Sequence, residues 1–342
     1  MNKIKIYALK LGFVLTVFIN CTILSAQDIH FTNNRFAPIQ FNASRIGGFE
    51  GNMRVGGIFR TQFSSFIQQP YKTTLAYADA PLNYKLRKND WTGIGVQFYT
   101  DQAGDLKFTR TGMSAGACYH LSSDAKYTRV LSIGATYSFY QRTINSRDFM
   151  LPDPLAGKPV GQDLNRLADF KEKYSDVNLG ITYTQKLNKT NTFQAGFAML
   201  YFLNATFNGI KENKTGKRYN SNLVFRHQLG DKKTNLEWSA WHSYIKTASN
   251  LSLQLLADRK LSKKDADDFV LKFGLGYRVG DALQILTGAS YQNWNIGISY
   301  DLTISEASNY NQHNGALELA LYKIILFNKK PKVNPIIFCP RL

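Results

Sequence analysis

Cysteine is almost missing: the 342 residues contain three. One of them, Cys21, lies in the N-terminal apolar stretch, which leaves Cys118 and Cys339. Two thiols cannot build a disulfide framework, and no Cys or His stands at metal-ligand spacing, so a stapled fold and a zinc module are both excluded and two isolated thiols remain. Acidic residues are scarce as well, 24 against 42 Lys and Arg. Such a basic balance can signal nucleic acid, but no basic helix, finger spacing or aromatic RNA-binding motif accompanies it. Long apolar runs are also lacking. After residue 26 no stretch approaches the ~20 residues that a membrane-spanning helix requires.

The first 26 residues have the layout of a secretory leader. Lys3, Lys5 and Lys10 precede the apolar run "LGFVLTVFIN", and a small-residue site ends at Ala26. Phe18, Ile19 and Asn20 ahead of Cys21 do not form a lipidation site, so an exported, unlipidated chain is expected. Removing the leader leaves 39 basic and 24 acidic residues, a formal charge of +15. For an exported chain this points to anionic envelope material or acidic protein partners, and to no nucleic acid.

What the chain does have is period two. In "FVLKFGLGYRVG", Phe269, Leu271, Phe273, Leu275, Tyr277 and Val279 alternate with Val270, Lys272, Gly274, Gly276 and Arg278. The pattern recurs in segments of about ten residues divided by turn chemistry, the signature of a transmembrane β-barrel. Strands are expected near 52–62, 72–80, 91–100, 107–121, 128–143, 175–187, 191–204, 219–229, 235–247, 250–258, 268–279, 282–291, 294–305 and 314–325. Fourteen is an even number, as antiparallel closure with both termini on one side requires. The fold class is therefore all-β, an antiparallel transmembrane barrel of about 14 strands. With the termini periplasmic, the two longest connections, 144–174 and 205–218, both fall on the outer side, and the short turns 188–190 and 292–293 on the inner.

In this register the aromatic and aliphatic row faces lipid. Eleven glycines, from Gly93 and Gly95 to Gly288 and Gly297, face the lumen, where they let strands coil and leave room for large inward neighbours. Arg110, Lys272, Arg278, Asp301 and Glu318 also point inward and are placed to pair across the lumen. The expected layout is a leader (1–26), a periplasmic N-terminal segment (27–51), the barrel (52–326) and a basic periplasmic tail (327–342).

Several stretches, in order over nearly the whole mature chain, resemble the PorP/SprF family: "AQDIHF", "NAS" followed by "GG", "FRTQF", "DQAGDL", "CYHL", "SDVNLGITY", "NIGISYDLT", "GALELAL" and the closing "CPRL". The family-motif positions are Asp28, Phe31, Asn42, Arg60, Gln62, Gly104, Asp176, Tyr300, Asp301, Glu318 and Pro340. Asn42-Ala43-Ser44 stands where the family usually has Asn-Pro-Ala, and Leu342 replaces a terminal aromatic. The resemblance implies an outer-membrane barrel of Bacteroidota, associated with type IX secretion and, in gliding species, with surface adhesins. The implied partners are secreted surface proteins bearing C-terminal sorting domains, beside periplasmic envelope components and outer-membrane lipid.

Three functions compete. A partner-binding barrel would use the Pro-containing loop 148–174, with Asp153, Pro154 and Lys158 as contacts. It would also use the tail residues Lys329, Lys330, Lys332, Cys339 and Arg341. A general porin or hydrophobic-substrate channel needs an open lumen, whereas Tyr140, Lys272, Arg278 and Tyr322 point inward. A lipid hydrolase would need Ser and His. None of His30, His120, His227, His242 and His313 has a local nucleophile motif, so no enzyme, cofactor or metal is expected.

Overall fold

The computed structural model describes residues 30–63, 70–82, 86–104, 108–144, 170–207, 210–214, 216–231, 233–246, 248–261 and 269–327. In chain order the strands are β1 (Met53–Gln62), β2 (Tyr71–Leu82), β3 (Trp91–Ala103), β4 (Phe108–Ser122), β5 (Arg129–Ile144), β6 (Phe170–Lys186), β7 (Asn191–Leu200), β8 (Thr206–Phe207), β9 (Ile210–Lys214), β10 (Arg218–Gln228), β11 (Thr234–Ile245), β12 (Ala248–Lys260), β13 (Val270–Arg278), β14 (Ala282–Tyr291), β15 (Trp294–Thr303) and β16 (Asn314–Ile325). Fourteen of them close into one antiparallel barrel. The seam is the pairing of β1 with β16, and β10 follows β7 directly in the wall. The remaining two, β8 and β9, form a small hairpin inside the connection that the alternation had left as loop.

Each expected strand coincides with a barrel strand to within a few residues. The largest difference is at β6, which begins at Phe170 rather than 175, so the end of the presumed loop 144–174 is strand paired with β5. The rest of that loop, 145–169, lies outside the described residues.

We call the end where β1 begins and β16 finishes the near end, and the opposite one the far end. Near-end turns are tied by their own side chains. Asp124 accepts N–H bonds from Lys126 (2.9 Å) and Thr128 (3.0 Å), and Asp231 from Lys233 and Thr234 (2.9 Å each). Together with bonds from the Thr128 and Thr234 hydroxyls, these donors hold both carboxyls below the usual range. Asn188 does the same for Thr190 and Asn191 without a charge.

The outward rows are apolar. Val96, Met113, Tyr137, Phe273, Leu275 and Ile296 are all exposed, so the wall presents hydrocarbon to its surroundings as a bilayer demands. The inward rows are polar and almost entirely buried, among them Gln97, Ser138, Asp176, Gln284, Ser299 and Glu318.

Their burial corrects one expectation. The segment 27–51 is expected in the periplasm, but its residues 30–47 lie inside the lumen. A 3-10 turn (Asn34–Phe36), one α-helical turn (Pro38–Phe41) and a second 3-10 turn (Ala43–Arg45) carry it along the barrel. Phe31, Phe36, Ile39, Ala43 and Ile46 join one buried cluster with Leu75, Tyr77, Tyr99, Tyr140 and Ala320 of the wall. Burying four large apolar side chains is worth roughly 1.5 to 3 kcal/mol each, which water at the near mouth could not supply.

The inward glycines acquire a more specific reason. A Cβ on Gly134 would stand 2.4 Å from the Ala43 carbonyl oxygen, and one on Gly180 would stand 2.0 Å from Asn42 Oδ1. The wall is bare there because the inner segment touches it.

The register makes Leu275→Arg a sharper defect than Gly276→Ala. Leu275 is 57% exposed on the lipid-facing row, where a mid-depth charge costs roughly 2 to 4 kcal/mol. A methyl at Gly276 would meet first Gln284 Oε1, at 2.5 Å, and moving that side chain strains its bonds with Ser252 and Gln254 but puts no charge into hydrocarbon. Heat-modifiable migration of the membrane-assembled barrel should fall for the arginine variant and persist for the alanine one. Equal assembly would mean that the two faces are exchanged.

Candidate functional site

The inner segment is fastened to the wall at three heights. Nearest the far end, Thr32 and Asn33 meet the closing seam. Glu318 on β16 accepts the backbone N–H of Thr32 (2.7 Å) and of Asn33 (2.9 Å), the Ser299 hydroxyl (2.9 Å) and Arg60 Nη1 (2.6 Å). Asp301 on β15 accepts the Thr32 hydroxyl (2.7 Å), Arg60 Nη2 (3.1 Å) and Arg278 Nη2 (3.0 Å). Arg278 Nη2 also donates to Thr32 Oγ1 (2.8 Å), and Gln254 Nε2 to the Thr32 carbonyl (2.8 Å). Two buried carboxylates thus face two buried guanidinium groups, with a threonine between them. Charge-assisted bonds at these lengths are the strong class, and every carboxylate oxygen is used.

Midway down, Asn42 spans β6 and β7. Its Nδ2 donates to the carbonyls of Ile181 (3.3 Å) and Phe197 (3.2 Å), while Oδ1 accepts the N–H and hydroxyl of Ser44 (2.9 and 2.7 Å). At the near end Asp79 accepts the Gly47 N–H (2.8 Å) and a two-pronged contact from Arg54 (2.9 and 2.7 Å). His120 lies there with one ring nitrogen 2.8 Å from the Ile46 carbonyl oxygen and the other 2.7 Å from Ser132 Oγ. On the opposite wall Arg35 pairs with Glu237 (2.5 Å), which also binds Arg226. The segment therefore descends from the far third at Thr32 to the near end at Gly47 before β1 turns back outward.

Beside it, Tyr99, Tyr140, Tyr174 and Tyr201 fill the far half of the lumen under β3 to β7. The Arg110 guanidinium lies over the rings of Tyr140 (5.3 Å) and Tyr201 (5.2 Å) and bonds the Tyr201 hydroxyl. Two Ser–His pairs are close among the described residues: Ser132 with His120, buried beneath Ile46 and Gly48, and Ser249 with His242 on the outward side of β11 and β12. Among the described residues no group of three or more His, Cys, Asp or Glu side chains gathers as a metal site would.

The family-motif positions separate into two groups. Phe31, Asn42, Arg60, Asp301 and Glu318 converge on the inner segment and its anchors. Asp176 is fully buried on β6, and its Oδ1 accepts the Leu203 N–H (2.8 Å), pinning the far connection that follows β7. Gln62 ends β1, and Gly104 makes the far turn after β3 at φ 63°, a conformation that favours glycine. Tyr300 lies on the lipid-facing row with its hydroxyl 3.3 Å from Asn314 Oδ1. Asp28, Asp153, Pro154, Lys158, Lys329, Lys330, Lys332, Cys339, Pro340 and Arg341 lie outside the described residues.

Sequence reading missed Thr32, Ser44, Asp79 and His120 as anchors. The available signal was the apolar content of "RFAPIQFNASRIGG", four large side chains in a segment assigned to water, opposite a row of inward glycines.

Removing Arg60 should release the upper anchor. Arg60→Met strands one of the two carboxylates without its partner, a change worth about 3 to 5 kcal/mol when the charges are buried. The folded variant should unfold at a lower temperature and be cut by trypsin after Arg35 or Arg45, where the parent barrel resists. Unchanged melting and continued resistance would assign the retention of the segment to its apolar contacts alone.

The comparisons with known proteins agree with this architecture. A toluene transporter of Ralstonia pickettii, TbuX, superposes with a TM-score of 0.50 at 10% identity, over 85% of this chain and 94% of that one. A FadL homologue of Pseudomonas aeruginosa gives 0.51 at 8% identity, over 83% and 92%. At such identities the likeness concerns the barrel fold. No curated protein matches the chain. The family described as "Type IX secretion system membrane protein PorP/SprF" matches residues 23–321, and the chain accordingly belongs to the PorP/SprF family.

Proposed function

We propose that this chain is an outer-membrane component of type IX secretion that supports the export or surface attachment of secreted proteins, such as gliding adhesins, by binding them rather than by conducting them. The observation that carries the reading is the occupied lumen. Residues 30–47 run through it with buried ionic anchors at the far and near ends, Arg60 with Asp301 and Glu318, and Arg54 with Asp79. A passage wide enough for a polypeptide would require breaking those pairs together, so a rigid platform fits better than a porin or hydrophobic-substrate channel.

A platform acts through its rims. With the termini periplasmic, the far mouth faces outward and bears the longest connection, 145–169. The described far loops add exposed Phe202 and Tyr310, aromatic types that are enriched at protein interfaces, beside exposed Leu203 and Ile304. Asp153, Pro154 and Lys158 belong to the outward contact in this reading. Lys329, Lys330, Lys332, Cys339 and Arg341 belong to a periplasmic contact with an acidic partner or an anionic envelope component.

Two measurements test this. Deleting 150–170 should leave a heat-modifiable barrel but lower recovery of the secreted partner, and planar-bilayer recordings of the intact chain should show no steady open channel. Undiminished recovery, or a stable conductance that Arg60→Met does not increase, would favour the channel. Truncation after Asn328 should likewise spare the barrel and abolish display of the secreted protein. Normal display would confine the tail to the fold.

A further inference from the structure

One strand edge at the far mouth is left open. β6 pairs with β5 from Phe170 to Gln185, but with β7 only from Leu179 to Lys186. Its first nine residues, 170–178, therefore have a neighbouring strand on one side alone. No other barrel strand has so long an unpaired edge among the described residues; the next, at the start of β12, has four, 248–251.

That edge is closed at its lower end and open above. Asp176 Oδ1 accepts the N–H of Val177 (2.8 Å) and of Leu203 (2.8 Å), the Val177 carbonyl accepts the Phe202 N–H (2.9 Å), and Asn178 Oδ1 accepts the Tyr201 N–H (3.0 Å). These bonds fold the chain after β7 back over 176–178. β8 then lies beside β6, but it pairs only with β9. Backbone groups alternate in direction along a strand, and the bonds of Val177 to Phe202 and of Lys186 to Thr128 fix the phase. Odd residues of β6 face the β7 side and even ones face β5. The open side thus carries the N–H and C=O of Lys171, Lys173 and Ser175, and among the described residues nothing bonds them.

The side chains define what fits. Lys171 and Lys173 are exposed on the outer face and form no ion pair among the described residues, whereas Glu172 and Tyr174 are buried on the lumen side. Residues directly opposite one another in an antiparallel pair share a face, so a chain added here sets its edge-bonding residues beside the lysines, where acidic side chains are the complement. Exposed Phe202 and Leu203 adjoin the closed end as apolar contacts.

We propose that β6 receives, as an added antiparallel strand, an extended segment of the secreted protein with acidic residues at alternate positions. This deepens the platform reading and rests on it. Lysines on an open edge discourage indiscriminate pairing, and here they set the sign of the segment admitted. Five residues, 171–175, give about 17 Å of edge, the length of an ordinary strand. In such an addition the ladder supplies affinity and the alternate side chains supply choice.

The test takes the full chain in mild detergent and a fluorescent hexapeptide of alternating Asp and Val, with binding read by anisotropy. The parent should bind it, and the same peptide with Lys in place of Asp should bind about tenfold more weakly or worse. N-methylation of the Asp residues removes the donors aimed at β6 and should abolish binding, while N-methylation of the Val residues should not. Equal losses from the two, or none, would overturn strand addition, because charge attraction alone is indifferent to which amide is blocked. Lys173→Pro deletes one donor of the open edge and no bond to β5, so it should weaken the peptide about tenfold. Normal affinity of that variant, or no binding by the parent, would likewise overturn the proposal. In cells Lys173→Pro should lower recovery of the secreted partner. If it does not while deletion of 150–170 does, strand addition falls and the platform stands; if neither lowers recovery, both fall.

Discussion

The structure depends on one buried ionic constraint, the carboxylates of Asp301 and Glu318 inside the wall. Neither could remain charged there alone, since stranding a buried ion costs several kcal/mol. Their compensation comes from three places in the chain: Arg60 on the first strand, Arg278 on β13, and the backbone and hydroxyl of Thr32. Arg60 and Glu318 are also direct register partners across the seam. The contact that closes the barrel is therefore the contact that holds the inner segment.

This coupling explains why the first strand is charged on its inward side. Arg60 reaches across to the last strands, and Arg54, six residues earlier, forms its two-pronged contact with Asp79 on β2. A strand with an ionic partner on each side and a plug above and below cannot slip by one residue without exposing its arginines to lipid. Registers are most firmly specified where a shift exchanges unlike faces, and β1 is an extreme instance. The bilayer contributes the other half of the specification, because the outward row accepts hydrocarbon and little else.

The barrel was legible because period two and turn chemistry are local signals. The segments 72–80, 219–229 and 250–258 alternate less regularly, yet they too stand in the wall as β2, β10 and β12. The inner segment has no such period. Its three short turns use backbone caps and side-chain anchors whose partners lie as far away as 286 residues in sequence. The alternation gives the inward glycines two reasons, coiling and room for inward neighbours, but it cannot say that the neighbours at Gly134 and Gly180 are Ala43 and Asn42 of the inner segment. Similarly, Arg278, Asp301 and Glu318 were read as inward charges able to pair, but the threonine that organises them carries no charge and no pattern. The resemblance to the family did mark Phe31, Asn42 and Arg60, and what joins those three is the lumen rather than a binding rim.

That distinction bears on where recognition can occur. Residues shared across a family are easily taken for a ligand site, yet five of the marked positions here are consumed by holding the chain to itself. The polar four of them, Asn42, Arg60, Asp301 and Glu318, bond inside the barrel, Phe31 packs in the apolar cluster, and all five are buried. The parts that the anchors leave untouched are the far connections, of which Asp176 pins one at Leu203. Substitutions in the far connections leave untouched the charges on which closure depends, because Arg60, Arg278, Asp301 and Glu318 all lie inside the wall.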